Sequence, residues 1–196
     1  MVGGGEVAER KARQLLRFKG AITLIAPAAT RYLQSAAEEG KIVWQRREYS
    51  SPEAEDYSLV IATTDDCKVN RQVFQDASAA GVMVNVVDEP ELCTVYFPAI
   101  IERGKITIAI GSEGSAPFFT RSVKENLERM IPSSLAEEAA LAEIFRDFVI
   151  GECAGEEEKK QVLYRKFLTE VEEHIQEWKA EDPPLNLWRQ WLREND

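Results

Sequence analysis

Apolar residues in the first half of the chain fall into short blocks separated by stretches of longer period. Ala21-Ile22-Thr23-Leu24-Ile25-Ala26, Leu59-Val60-Ile61-Ala62-Thr63 and Val82-Met83-Val84-Asn85-Val86-Val87 are nearly continuous apolar runs. That is the pattern of strands buried on both faces. Ile42-Val43-Trp44 reads as a further strand. Between these blocks the period becomes helical. Ala8, Ala12, Leu15 and Leu16 share one face, and Gly20 stands where a C-cap belongs. A helix is predicted from Arg31 to Glu39, stopped by Gly40. Another runs from Lys68 to Ala80, with Val69, Val73, Phe74 and Ala77 on one face and Gly81 at its end. Ser51-Pro52-Glu53 has the form of a short helix start with proline at its first position. Strands alternating with helices predict a parallel sheet covered on both faces.

The pattern then changes. Tyr96-Phe97-Pro98-Ala99-Ile100-Ile101 and Lys105-Ile106-Thr107-Ile108-Ala109-Ile110 flank Glu102-Arg103-Gly104, which predicts a hairpin around a three-residue turn. A hairpin does not continue a strand–helix–strand series, so a boundary is placed near Phe97. The Ser112–Pro117 loop leads into a helix ending near Met130, before Pro132. From Ser134 onward every segment reads as helix. Leu135, Ala139, Ala142 and Phe145 space one; Val162, Phe167, Val171, Ile175 and Trp178 space another; Leu187, Trp188, Trp191 and Leu192 follow Pro183-Pro184. These aromatics are read as core rather than as a cofactor box. The expected architecture is α/β: a Rossmann-like parallel-sheet domain over 1–97, a small hairpin-and-helix dimerisation region over 98–132, and an all-helical acidic domain over 133–196.

The run Val2-Gly3-Gly4-Gly5-Glu6-Val7-Ala8 precedes the first helix. Read as G-x-G-x-x-A, it is a phosphate-binding turn. Gly3 permits the tight strand-to-helix turn, Gly5 lets a pyrophosphate approach the backbone, and Ala8 lets the helix pack closely on the sheet. The helix N-terminus then offers free N–H groups and a positive dipole end. Only Met1-Val2 stand before the turn, so the sequence is expected to begin inside its first strand, and residues missing before Met1 would weaken the phosphate turn. The acidic residue found about 20 residues on in such folds, for the ribose hydroxyl, is absent, because the second strand ends Ile25-Ala26-Pro27-Ala28. Contacts at Pro27 and Ala28 are expected to take its place, which leaves NAD and NADP unseparated.

Composition narrows the chemistry. The 196 residues suit one or two domains. No stretch approaches the roughly 20 apolar residues of a membrane span, and no secretory signal is visible. Cys67, Cys93 and Cys153 are scattered without a C-x-x-C, which fits a reducing cytoplasm. His174 is the only histidine, which argues against a structural zinc site and leaves no expected resident metal. Net charge is −10; residues 133–196 carry 16 acids and 8 bases, hence −8, and residues 1–132 carry the remaining −2. Phosphate recognition needs a basic face, so nucleic acid is excluded as a partner.

In open parallel sheets ligands bind at the carboxyl ends of the strands. Three such ends are polar here: Gly3, Gly5, Glu6 and Val7; Thr63, Thr64, Asp65 and Asp66; and Asp88-Glu89-Pro90. They are expected to converge on one cleft. Thr64-Asp65-Asp66 reads equally well as a helix cap. Asp88 directly follows a buried strand, where a carboxylate has no structural need to be, although it also reads as a turn residue before Pro90. Beside a bound nicotinamide, a partly buried Asp88 would serve as general base. None of Tyr32, Tyr49, Tyr57, Tyr96 or Tyr164 has a lysine four residues later, so the short-chain dehydrogenase pair is absent. Cys93 lies close to the predicted cleft and reads as either reactive or buried and inert.

Gly3-Gly4-Gly5-Glu6-Val7-Ala8 with Arg10-Lys11-Ala12, then Ala62-Thr63-Thr64-Asp65-Asp66 with Asn70, then Asn85-Val86-Val87-Asp88, Phe97-Pro98-Ala99-Ile100 and the Ser112–Pro117 loop follow in order. Together they resemble the precorrin-2 dehydrogenase family, the N-terminal module of siroheme synthases, over about residues 1–132. The resemblance implies NAD-dependent oxidation of precorrin-2 to sirohydrochlorin in siroheme biosynthesis. It implies that Asp88 is the catalytic residue and that Ser112 lines the tetrapyrrole site. It also implies a homodimer formed through the hairpin region and the helical domain. Some members insert Fe²⁺ into sirohydrochlorin in the same cleft. The methyltransferase domain fused to some members is not seen. A carboxylate-rich tetrapyrrole needs basic partners, and Arg103, Lys105, Arg121, Lys124 and Arg129 are the candidates, each of which also reads as an ordinary surface charge. A second class of reading is a non-catalytic NAD-sensing module with the acidic helical region as its output surface.

Overall fold

Val2 is the pivot of the first sheet in the computed structural model, which describes residues 1–194. Asn195 and Asp196, the end of the expected acidic helical region, lie outside the described residues. Val2 pairs in parallel with Ile25 on one side and Ala62 on the other. Strand β1 (Thr23–Ile25) pairs in parallel with β2 (Val43–Gln45), and β3 (Leu59–Ala62) with β4 (Met83–Val86). The order across the sheet is therefore β2-β1-Val2-β3-β4. The chain moves outward on one side of Val2, returns across it, and moves outward on the other. That reversal is a switch point, where the carboxyl ends of neighbouring strands open a crevice.

The described chain divides into two compact units. The first is Met1–Phe97 with Glu113–Ser115; the second is Pro98–Ser112 with the chain from Ala116 onward. In the first unit, α1 (Glu6–Arg17) and α2 (Arg31–Glu38) bury Ala8, Ala12, Leu33 and Ala36 with Ile22, Leu24, Ala26 and Ile42. Helix α3 (Cys67–Ala79) buries Val73 and Ala77 with Val60, Ala62, Val84 and Val86. Small residues on α1 let its axis lie close to the strands. A cavity of about 680 Å³ opens at the amino ends of the strands, lined by Leu15, Ile22, Ile42, Leu59 and Ile61 among others.

All three helices close with the same pair of hydrogen bonds. Gly40 N and Lys41 N donate to Ala37 O and Ala36 O after α2. Gly81 N and Val82 N donate to Ser78 O and Ala77 O after α3. Lys19 N and Gly20 N donate to Leu16 O and Leu15 O after α1, both at 3.0 Å. This is the Schellman arrangement, in which one residue turns left-handed. Gly40 (φ +71) and Gly81 (φ +67) fill that position after α2 and α3, but after α1 it is Lys19 (φ +58). Gly20 serves instead for proximity, since a Cβ there would lie 3.1 Å from Leu15 O.

The helix predicted at Ser51-Pro52-Glu53 does not form. Its side chains are engaged elsewhere: Tyr49 Oη and Ser51 Oγ donate to Asp76 of α3 at 2.6 and 2.9 Å, and Glu53 pairs with Arg47.

The second unit begins with antiparallel β5 (Ala99–Arg103) and β6 (Ile106–Ile110). Arg103 pairs with Ile106, so the turn is Gly104-Lys105, one residue shorter than predicted. Gly104 supplies the left-handed φ of +57 that a two-residue hairpin needs. Then follow α4 (Pro117–Met130), α5 (Leu135–Glu152), α6 (Glu157–His174) and α7 (Leu185–Glu194). The ring of Phe145 stacks on Phe167 at 4.5 Å and meets Trp188 edge-on at 4.9 Å. Trp188 and Trp191 are buried, as core. Helix α6 turns Leu163, Phe167 and Val171 inward, while the predicted face residue Val162 is 46% exposed. Leu163 extends the four-residue steps of Phe167 and Val171, and Val162 lies one position off them. No helix among the described residues is long and apolar enough to cross a membrane.

Candidate dinucleotide site and the Asp88 turn

The glycine turn sits at the switch point and is held by its neighbours on both sides. Gly3 N donates to Ile25 O at 3.0 Å, and Thr30 N to Gly4 O at 3.0 Å. Gly3 has φ +103, and a Cβ there would lie 2.6 Å from Thr63 Oγ1. A Cβ on Gly4 would strike Ala28 O and come within 2.9 Å of Ala29 Cα. Gly5 differs: a Cβ there meets nothing within 4 Å. It is the N-cap of α1 and makes no side-chain cap. The N–H groups at the start of a helix have no intrahelical partner, so Glu6, Val7 and Ala8 present theirs beside that open space. Glu9 N already donates to Gly5 O. An opening over a glycine at a helix N-terminus fits a pyrophosphate.

The other predicted segments meet this turn directly. Pro27 and Ala28 form an exposed bend after β1, and Ala28 packs on Gly4. Thr63 packs on Gly3, and its hydroxyl donates to Val2 O at 3.1 Å. Thr64 is held by the buried Asn70, whose Nδ2 donates to Thr64 O at 2.9 Å and whose Oδ1 accepts from Thr64 Oγ1 at 2.7 Å. Asp66 caps α3 by accepting from Lys68 N at 2.8 Å, while Asp65 is exposed. The helix-cap reading of this segment is thus met at Asp66, and Thr63 just before it lies against the glycine turn.

Asp88 follows β4, and Val87 N donates to Ala62 O at 3.0 Å, so this strand end lies beside that of β3. The partial burial expected of Asp88 is not found. The residue is exposed, because the turn carries it beyond the strand with φ +63. A non-glycine residue in this region is uncommon, although aspartate tolerates it better than most. The surroundings hold the turn. Val86 N donates to Cys93 Sγ at 3.2 Å, and the thiol donates to Val86 O at 3.2 Å and approaches Glu89 O at 3.4 Å. Burial pushes the Cys93 thiol up, which keeps it protonated as a donor. Its place is thus structural. The buried Asn85 donates to Val95 O at 3.0 Å, and Thr94 Oγ1 accepts from Val84 N at 2.8 Å.

Gly4, Lys11, Asn70 and Asn85 stand in the sequence motifs without an assigned role, yet they shape this site. Gly4 is the tightest of the three glycines. Asn70 and Asn85 are polar residues at positions of apolar period, and that mismatch was their signal. Lys11, half-buried on α1, lies with its Nζ 3.7 Å from the centroid of the Phe97 ring. Burial lowers its pKa to about 8.

The remaining predicted residues belong to the second unit. Ser112 Oγ accepts from Ala116 N at 3.2 Å, which shapes the approach to α4. Arg103 donates through Nη2 to Glu128 O and Ile131 O at 3.1 and 3.2 Å, and through Nη1 to Glu102 O. Its guanidinium thus closes the end of α4, where a cation also meets the negative end of the helix dipole. Lys105 pairs with Glu143 at 2.5 Å. Arg121 is exposed.

Residues 1–99 match a family model described as "Putative NAD(P)-binding". The chain is 41% identical over 149 residues to the siroheme synthase of Photorhabdus laumondii subsp. laumondii, and 45% identical over 149 residues to that of Pseudomonas entomophila. Each alignment covers 76% of this chain and 32% of the relative. The siroheme synthase 1 of Aeromonas salmonicida is 40% identical over 165 residues, 84% of this chain and 35% of the relative. The chain thus spans about a third of the length of these curated relatives. The solved structure of "SirC, precorrin-2 dehydrogenase" has the same fold, with a TM-score of 0.75 at 21% identity, over 99% of this chain and 91% of that one.

Proposed function

The chain belongs to the putative NAD(P)-binding family over residues 1–99, and from that premise we propose that it catalyses NAD-dependent oxidation of precorrin-2 to sirohydrochlorin. The observation that carries the dinucleotide half is the open space over Gly5 at the N-terminus of α1. The N–H groups of Glu6 and Val7 would hold the pyrophosphate there, with Gly3 and Gly4 setting the turn. Pro27, Ala28, Thr63, Thr64 and Asp65 would line the remainder. Bound NAD supplies the hydride acceptor. Oxidation removes a hydride and a proton from the reduced tetrapyrrole, and Asp88 takes the proton. Its exposure at a strand end beside β3 leaves the carboxylate accessible to a large substrate. Ser112 and Arg121 are proposed substrate contacts. Arg103 and Lys105, with their charges already engaged, serve to tie the hairpin to α4 and α5.

The second unit is proposed to pair with a second copy. On α4, Phe118 is 79%, Phe119 60% and Met130 75% exposed in the single chain. The decisive experiment is anaerobic incubation with precorrin-2 and NAD, following sirohydrochlorin by absorbance, then addition of Fe²⁺ as a second substrate. NAD-dependent sirohydrochlorin formation is expected, with Asp88→Ala slowing it about 10²–10⁴-fold at unchanged NAD affinity. Siroheme formation above background would add chelation to the same cleft. NAD binding without oxidation would favour the non-catalytic sensing module instead.

A further inference from the structure

We propose that Tyr96 is a positioning residue of this site, a strut joining the turn that carries Asp88 to the loop Glu113–Ser115. The inference rests on the dehydrogenase reading above. Tyr96 Oη donates to Pro90 O at 3.0 Å, two residues beyond Asp88. The opposite contact is with Gly114, where an added Cβ would lie 2.8 Å from Tyr96 Cδ1. The loop backbone therefore lies directly against the tyrosine ring. Both segments are conformationally demanding: Asp88 has φ +63, Glu113 φ +52 and Gly114 φ +76. Residues in such regions persist when their surroundings over-determine them, and they cluster at functional sites. One phenol ring touches both.

The base of the strut is fixed as well. Phe97, the next residue, lies under the Lys11 ammonium of α1. Before it, Val95 is tied to β4 through Val84 and Asn85. The ring is thus anchored at its backbone on both sides, and its hydroxyl reaches the Asp88 turn. The Cys93 thiol holds the near end of that turn and the Tyr96 hydroxyl the far end. Losing the hydroxyl would free Asp88 without touching the phosphate turn. Losing the ring would also release Glu113–Ser115, which borders Ser112.

Tyr96→Phe and Tyr96→Ala separate the two contacts. For Tyr96→Phe, kcat for precorrin-2 oxidation is expected to fall about tenfold, the scale of a sub-ångström displacement of an acid–base group. KM and NAD affinity should stay within twofold. For Tyr96→Ala, KM is expected to rise about tenfold as well, again at unchanged NAD affinity. Amide hydrogen exchange reads the strut without activity. It should accelerate at residues 88–92 in Tyr96→Phe, and at both 88–92 and 113–116 in Tyr96→Ala. Kinetic constants within twofold of the parent in both variants would overturn the positioning role. Unchanged exchange at both segments in Tyr96→Ala would overturn the strut itself. A parent without NAD-dependent turnover would overturn the dehydrogenase reading, and with it the kinetic role, while exchange still decides whether the strut exists.

Discussion

Gly3, Gly4 and Gly5 lack a side chain for three different reasons. Gly3 has a left-handed backbone pressed against Thr63, Gly4 abuts the backbone of Ala28 and Ala29, and Gly5 faces open space. A methyl on Gly5 costs the fold little but occupies the position proposed for phosphate. Gly5→Ala is expected to melt within about 2 °C of the parent and to bind NAD about tenfold more weakly, a loss of about 1.4 kcal/mol. Gly4→Ala should cost about 1–3 kcal/mol of stability by overpacking. Thermal melts beside NAD titrations check both. Lys11 supports a second prediction. Its folded pKa is about 8 against 10.5 in the unfolded chain. Between those values the unfolded state binds more protons, so the fold gains stability as pH rises through the window. Below pH 8 the full cost of the half-buried ammonium applies. Lys11→Met is therefore expected to be more stable than the parent at pH 7, by about 1 kcal/mol after discounting for solvent screening. The difference should vanish above pH ~10.5, and denaturant titrations across that range test it. The glycines were legible because their run is local. Lys11 was not, because its environment comes from Phe97, far along the chain.

Among elements, the three helix ends of the first unit form a natural comparison. Each closes with the same two hydrogen bonds, but only α2 and α3 place glycine at the left-handed position. A non-glycine residue there costs roughly 1–2 kcal/mol. Lys19→Gly should recover part of that, about 1 kcal/mol, raising the melting temperature by about 2–4 °C without altering NAD binding. An unchanged or lowered melting temperature would count against the reading of Lys19 as strained. Glycine spacing in the sequence located all three helix ends, but not which residue turns left-handed after α1. The hairpin was legible in the same partial way. Alternation marked both strands, but the turn length was settled by cross-strand pairing of Arg103 with Ile106. At α6, Val162 and Leu163 are adjacent apolar residues; Leu163, in step with Phe167 and Val171, is the one buried in the core with Phe145 and Trp188.

For the whole molecule, the two units carry separate cores and unequal charge. The first packs aliphatic residues on both faces of a parallel sheet; the second packs Phe145, Phe167, Trp178, Trp188 and Trp191 between helices. Residues 133–196 hold −8 of the −10 net charge. Self-association through that acidic region would be opposed by like charge, whereas α4 offers Phe118, Phe119 and Met130 to solvent. If α4 is the dimer surface, sedimentation should give a dimer for the parent. Phe118→Asp with Phe119→Asp should give a folded monomer, and a monomeric parent would refute the pairing.

What the sequence determined by itself was local: parallel strands from apolar runs, helix ends from glycines, and a tight glycine turn before α1 from the G-x-G-x-x-A run. Each follows from steric and burial rules that act over a few residues. Long-range contacts decided the remainder. Arg103 became the closure of α4 because Glu128 and Ile131 present carbonyls to it. Asp88 became exposed because Cys93 and Tyr96 hold its turn beyond the strand. Cys93 became structural because its thiol donates to Val86 O. A side chain's partners depend on which distant segments the fold brings beside it, and residue spacing along one chain does not encode that proximity.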